Sequence, residues 1–353
     1  MLDMEAPIIM NEDRFFRRPG MAASLYAGAL GDAWGYQVEF KKIDEINFIF
    51  DGPPKDPGTD SRVILVSDDT QMTMFTIEGA LRGMAIGKPL LENIVRETWR
   101  AYLDWFETQS STGVNHYGEL ADQVEMRARR APGNTCMEAL DNGRPGMPFR
   151  PINNSKGCGG VMRIAPFGFL LKTPMVSMQA ASYAAALTHG HPDGWGPAGI
   201  LANALNRIRS GETISESFKN AINDMKLWVD DNRVPPRILK EPGYELYYKA
   251  IEMAGNGFPS PEKIATLGAG WTGDEALAIG IYCAMSCHNI EDVIKAAIYH
   301  DGDSDSTGSI AAQIFAARHG LDVPASWINK IDVKKQLDDL IAQAEAGVLD
   351  RIV

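Results

Sequence analysis

An all-α fold in one compact domain is what this 353-residue sequence predicts, on three observations. Small and apolar residues recur at helical spacing in segment after segment; strand-like alternation is confined to the short runs 46–50 and 63–66; no Ser-, Gly- or Pro-rich linker divides the chain. Hydrophobic residues at 45% and charged residues at 23% exclude a disordered or coiled-coil chain.

The elements follow in order. Residues 1–19 read as an N-terminal arm, with Phe15, Phe16, Arg17 and Arg18 mixing ring and cationic contacts suited to a protein interface; an arm folded back on its own domain is the alternative. Residues 20–353 read as the single domain. Segment 21–34, MAASLYAGALGDAW, is a helix whose small residues admit another helix or a ligand at close range. Segment 48–62 is rich in Gly, Pro and Asp and reads as a loop. Ser67, Asp68, Asp69 and Thr70 then cap a helix running to about 85, because small polar side chains satisfy the free amides of a first turn. A helix is expected at 91–106, a polar stretch at 110–151, and a Gly-rich break at 157–160 before the apolar 161–170. Further helices are expected at 180–189, 199–208, 215–229, 243–253, 276–286, 290–299, 309–318 and 333–346.

Composition narrows function. Thirty-four basic against 46 acidic residues give a net charge of −12, a field that repels nucleic-acid phosphates, so no nucleic-acid partner is expected. Cys136, Cys158, Cys283 and Cys287 are too few and scattered for a disulfide scaffold. Free thiols, an acidic N-terminus and the lack of any run near the roughly 18 apolar residues of a membrane span lead to the expectation of a cytoplasmic protein without a membrane partner.

Two segments about 230 positions apart look alike: Ser67-Asp68-Asp69-Thr70-Gln71, and Asp301 to Gly308 with Asp303, Asp305 and Ser306. Both crowd carboxylates and hydroxyls ahead of an apolar helix. Brought together, they would surround hard divalent cations such as Mg²⁺ or Mn²⁺ with oxygen donors. Capping explains one carboxylate per helix; two or three in each segment repel one another unless a cation or donor network compensates. Asp32 and Glu39 read alone as a turn residue and a surface acid. The loop Gly157, Cys158, Gly159, Gly160 with Val161 and Met162 suits either backbone amides facing a phosphate or a tight turn, and it lacks the spacing of a nucleotide-binding loop. His189 reads as lining or capping the end of its helix.

Taken together, GALGDAWG at 28–35, SDDTQM at 67–72, GCGGVMRIAP at 157–166, LTH at 187–189 and GDSDSTG at 302–308 resemble the ADP-ribosylglycohydrolase family, which includes dinitrogenase-reductase-activating glycohydrolases. The resemblance implies a compact helical domain with a two-metal cleft. It places two divalent cations, Mg²⁺ first and Mn²⁺ second, on Ser67, Asp68, Asp69, Asp303, Asp305 and Ser306. It puts the ligand against Gly157, Gly159, Gly160, Val161, Met162, His189 and Asn134, with Asp32 as a further contact. Asp69 and Asp303 act in catalysis, and Glu39 matches a cleft glutamate of the branch acting on serine-linked or polymeric ADP-ribose. The implied reaction releases ADP-ribose from modified protein side chains, arginine first. The arginine-specific branch carries an aspartate where this chain has Ala131, so its mechanism does not transfer unchanged. Some relatives are immunity proteins, which adds an ADP-ribosyltransferase toxin as a partner to consider; a noncatalytic ADP-ribose reader is the other reading.

Overall fold

The computed structural model describes residues 14–58, 61–110, 116–231, 244–255 and 257–349. Among these residues the chain forms sixteen α-helices and two short strands. Strand β1 (Arg14–Arg17) leads into helices α1 (Met21–Tyr36), α2 (Ile43–Phe50), α3 (Asp68–Ile86), α4 (Leu90–Ser110) and α5 (Asn134–Asp141). A single 3₁₀ turn (Cys158–Gly160) precedes α6 (Pro166–Leu170), α7 (Pro174–Ala186), α8 (Pro192–Arg209), α9 (Ile214–Asp231), α10 (Tyr244–Met253) and α11 (Pro261–Ala265). The chain closes with α12 (Gly273–Ser286), α13 (Ile290–Ala297), α14 (Ser304–His319), β2 (Leu321–Pro324), α15 (Ala325–Asn329) and α16 (Lys334–Leu349).

The small residues of α1 make the central contact. Ser24, Gly28, Gly31 and Gly35 fall three or four apart, on one stripe of the helix, and that stripe lies on α14. Backbone nearly touches backbone: a Cβ on Gly31 would stand 2.3 Å from the Gly308 carbonyl oxygen, and one on Gly35 would stand 2.3 Å from that of Ser304. Ser24 Oγ adds a hydrogen bond to the Gln313 carbonyl at 3.0 Å. The residues of α1 from Ala23 to Gly35 are buried, so this helix is the axis of the molecule.

Three expectations change. Residues 46–50 are helical in α2, because both ends are fixed: Lys42 N donates to Glu45 Oε2 at 2.8 Å and Asp51 closes the helix at φ 54°, both local, while Ile43 N donates across the fold to Asp301 Oδ1 at 2.7 Å. Only Ile46 of that helix is buried, so its alternation marks no sheet face. Segment 63–66 gives no ladder; Ile64 makes an isolated parallel bridge to Ile331. Helix α7 ends at Ala186 and leaves His189 in the following turn, while α8 begins at Pro192, capped by the His191 side chain accepting from Asp193 N. The arm expected at 1–19 lies outside the described residues up to 13; beyond that, β1 pairs antiparallel with β2, from Arg14 opposite Pro324 to Arg17 opposite Leu321. Phe15 packs edge-on against Tyr26 of α1 with Arg17 over its ring, so these two arm residues are engaged by the domain itself, whereas Phe16 is exposed.

Gly31→Ala therefore has to part α1 from α14. Overpacking of this kind costs about 1–3 kcal/mol, and we expect a lower urea midpoint at unchanged slope; an unchanged midpoint would refute the backbone contact.

Candidate active site

The start of α3 is built around Asp32. From the middle of α1, its fully buried carboxylate accepts from the amides of Ser67 at 2.9 and 3.1 Å and of Thr70 at 3.0 Å, and from the Thr70 hydroxyl. These amides belong to the first turn and have no partners within the helix, so Asp32 completes the cap that Ser67 begins by accepting from Asp69 N at 3.2 Å. Burial raises the Asp32 pKa to about 6, with these hydrogen bonds pulling the other way. A second clamp comes from the chain ahead of α5: Asp68 N donates to the Arg130 carbonyl, Gly133 N donates to Asp68 Oδ2 at 3.2 Å, and Arg130 pairs with Asp332 at 2.6 Å.

The start of α14 is fixed in the same manner. Asp303 caps it by accepting from Ser306 N at 3.3 Å, and Asp305 Oδ1 accepts from the same amide at 2.9 Å. Asp303 N donates to the Ala269 carbonyl, and Cys158 Sγ donates to Asp303 Oδ2 at 2.8 Å. Asp301, in the same acidic run, caps α2 instead.

Because α1 carries one helix start through Asp32 and seats the other through Gly31 and Gly35, the two acidic segments meet. Ser306 Oγ lies 3.5 Å from Asp69 Oδ2. Asp68, Asp69, Asp303, Asp305 and Ser306 line one cavity of about 170 Å³ together with Glu39, Asn134, Gly157, Gly159, Met162 and His189. That volume is below the roughly 300–1,000 Å³ of pockets that enclose a drug-sized ligand. A roomier cavity of about 550 Å³, lined by Pro19, Met21, Phe169, Arg209 and Arg318 among others, shares no lining residue with it and holds one carboxylate, Glu345.

Four expected site residues sit elsewhere. Asp32 and Ser67 are fully buried and outside the lining; their oxygens serve the α3 amides. Gly160 is buried against the Gly194 carbonyl, 2.6 Å from where a Cβ would stand, and Val161 is fully buried, so both support the wall without forming its surface. Nor does the Gly-rich turn offer all its amides to a ligand: Gly157 N donates to Ser155 Oγ at 3.3 Å and Cys158 N to the Trp271 carbonyl at 3.2 Å. The cavity also recruits Phe40, Ala131, Gly133, Thr135, Cys136 and Cys158, which sequence reasoning did not select. Cys158 stood inside the Gly-rich motif. Phe40 had no signal: it takes a left-handed φ of 63°, donates its amide to the Gly302 carbonyl, and stacks on Trp271 at 5.4 Å with both rings exposed.

The electrostatics are those of too many acids in too little water. Burial, then Asp303, raises the Glu39 pKa to about 8; burial raises Asp68 to about 8, opposed by the Gly133 hydrogen bond. Burial and then Asp32 push Asp69 well above the carboxylate range, and burial and then Asp69 do the same for Asp305. Among the described residues no three His, Cys, Asp or Glu side chains converge as a finished coordination shell. Yet Asp69 Oδ1 is buried and has no hydrogen-bond partner, so a hard cation fits this oxygen donor set.

Asp32→Asn presents an amide N–H to donors that need an acceptor. A loss of about 1–3 kcal/mol in stability is expected, read by thermal unfolding; a variant as stable as the parent would remove Asp32 from its assigned place.

The fold agrees with what the chain is similar to. The profile described as ADP-ribosylglycohydrolase matches residues 12–351. The human ADP-ribosylhydrolase ARH3 is 28% identical over 219 residues, 56% of this chain and 60% of that protein, so the match spans less than two thirds of the human relative. The ADP-ribosylhydrolase ARH3 of Xenopus tropicalis is 24% identical over 340 residues, 90% of this chain and 92% of that one. A solved structure described as an ADP-ribosylglycohydrolase-related protein complex superposes with a TM-score of 0.58 at 19% identity, over 93% of this chain and 97% of that one, a likeness of fold. With the family profile matched over nearly its whole length, the chain belongs to the ADP-ribosylglycohydrolase family.

Proposed function

We propose that the acidic cavity holds the terminal ribose of an ADP-ribosylated protein side chain and that the enzyme hydrolyses the bond at C1″. One observation carries this: two acidic helix starts, far apart in sequence, line a single cavity with the Gly157–Gly159 wall and His189. Two divalent cations, Mg²⁺ or Mn²⁺, held by Asp68, Asp69, Asp303, Asp305 and Ser306, would supply Lewis-acid charge for ribose hydroxyls and a hydrolytic water. Asp69 and Asp303 are the catalytic pair of this set, each coming from one of the two helix starts.

In the reaction the water oxygen bonds to C1″ and gives up one proton, the bond from C1″ to the side-chain atom breaks, and the departing atom takes one proton, so the net proton count is unchanged. Glu39 is the group suited to that proton exchange: it lines the cavity and is half-buried, and burial raises its pKa. Cys158 holds Asp303 by one oxygen and leaves the other toward the helix amide, which fixes that carboxylate's orientation.

The motif set favours an arginine linkage. Two cavity residues favour an O-linked one: Glu39, which resembles the glutamate of the branch acting on serine-linked or polymeric ADP-ribose, and Ala131, which stands where the arginine-specific branch has an aspartate. The O-linked reading has the support of residues that line the site, and the arginine reading is its direct competitor.

Release of free ADP-ribose from seryl- and arginyl-ADP-ribosylated peptides, with Mg²⁺ or EDTA, separates these readings. Turnover should favour the seryl peptide, vanish in EDTA, and drop by at least about 100-fold in Asp303→Asn; turnover of neither peptide by folded, metal-loaded protein would sink the hydrolase reading. Glu39→Gln should cost about 10²- to 10⁴-fold in kcat, with ADP-ribose affinity largely kept.

Stability should carry the signature of the crowded acids. Asp32, Glu39 and Asp68 have folded-state pKa values above their unfolded ones, about 6, 8 and 8, so without cations their favourable contribution is full below about pH 4 and is lost as pH rises through 6 to 8. His189, pushed down to about 3, works in the opposite sense, gaining as pH rises through the unfolded value near 6.5, with or without cations. The rise in Tm on adding Mg²⁺ should therefore be larger at pH 8 than at pH 5; an equal rise at both would argue against cation binding by these acids.

A further inference from the structure

Behind the cavity wall lies a cation that the proposed reaction does not use. Arg163 is fully buried, and its guanidinium is solvated by soft and neutral partners: Cys136 Sγ at 3.2 Å, Met72 Sδ at 3.3 Å, the Ala184 carbonyl at 3.4 Å, and the Tyr102 ring 4.3 Å from the guanidinium carbon. Its shortest bond runs to Thr188 Oγ1, at 2.6 Å. Thr188 Oγ1 in turn lies 2.8 Å from His189 Nδ1.

The proton positions along this chain follow from donor inventory. Arginine only donates, so Thr188 accepts from Arg163 and has a single proton left to give. Its other neighbours are the Ala185 carbonyl, at 3.4 Å, whose oxygen already accepts the amides of Thr188 at 3.1 Å and His189 at 2.9 Å, and the Cys136 thiol, a weak acceptor that already takes an Arg163 N–H. The hydroxyl proton goes to His189 Nδ1. Nδ1 is then an acceptor, and the ring proton must sit on Nε2. That edge of the ring lies against Gly157 and Gly159, each of which would place a Cβ 3.2 Å from Nε2, and all three residues line the acidic cavity.

We propose that Arg163 and Thr188 form a positioning relay that locks His189, which the family resemblance already sets against the ligand, as its Nε2–H tautomer, a fixed hydrogen-bond donor to an anionic oxygen of the ligand, of the diphosphate class. The donor matters because the cavity is dominated by acidic groups and the Gly157 and Cys158 amides beside it are already engaged, so on this wall the imidazole N–H is a free donor next to the Gly-rich turn. A protonated imidazole would be a donor without any relay; burial and the Arg163 charge keep His189 neutral instead, pushed down to about 3, so the tautomer decides what it offers. The ligand half of this inference rests on the proposed function; the tautomer half does not.

Two measurements on the full chain test the two halves separately. Two-bond proton–nitrogen correlation spectra of histidine-labelled protein, with the His189 signals assigned by their loss in His189→Gln, should show a protonated Nε2 and a bare Nδ1; a protonated Nδ1, or averaging between tautomers, overturns the relay. ADP-ribose affinity by calorimetry should fall about tenfold in Thr188→Val, as for one hydrogen bond to a charged group, and return in Thr188→Ser. Unchanged affinity in folded Thr188→Val overturns the donor role, as does Thr188→Ser binding no better than valine should valine not fold. Wild-type protein that binds no ADP-ribose refutes the ligand half together with the proposed function, and the spectra still decide the tautomer.

Discussion

The near-contact of the α1 and α14 backbones is the constraint on which the rest of the structure depends. Glycines at 28, 31 and 35 remove the side chains that would hold two helices apart, and Gly308 answers from the other side, where a Cβ would stand 2.6 Å from the Gly31 carbonyl. Helix axes usually lie 8–10 Å apart because side chains fill the space between them. Here the stripe brings the first turn of α14 beside Gly35, while Asp32, one residue past Gly31 and off that stripe, takes hold of the first turn of α3. One helix thus sets the distance between two acidic segments that the chain separates by most of its length.

The site built on this scaffold is expensive in isolation. Burial disfavours each charged carboxylate, and every neighbour of like charge adds to the cost. The hydrogen bonds from Ser67, Thr70, Gly133 and Ser306 amides recover part of it, and Arg163 adds a positive charge that favours ionised Asp68 from behind the wall. The orphaned Asp69 oxygen is what those local donors leave unserved. Cations held by this donor set, as proposed, would supply that compensation from outside the polypeptide.

The walls differ from the floor in kind. The floor is made of helix starts, rigid and capped; the walls come from turns, in Glu39–Phe40, Ala131–Gly133 and Gly157–Gly159. Turns carry side chains in conformations helices forbid, and Phe40 at φ 63° and Ala131 at φ 49° are such cases. This division puts the proposed cation-holding carboxylates on capped helix starts and Glu39, with the residues around it, on turns.

Periodicity and motif determined a good deal by themselves. Eight of the later helices were marked by their apolar spacing because that spacing is what buries one face, and SDDTQM and GDSDSTG declared two capped, acid-rich helix starts because capping chemistry is local. The metal-ligand set Ser67, Asp68, Asp69, Asp303, Asp305 and Ser306 followed instead from the resemblance of these motifs to the family. Only the tertiary structure decided what each oxygen faces. Asp32 and Ser67 carry the same chemistry as their neighbours but spend it on backbone amides; Gly160 and Val161 share a motif with Gly159 and Met162 but are covered; Phe40 and Cys158 enter the cavity through a left-handed turn and a thiol–carboxylate contact across 145 positions. Burial, direction and partner are properties of packing between distant segments, and a local pattern of residues carries no information about which distant atoms arrive.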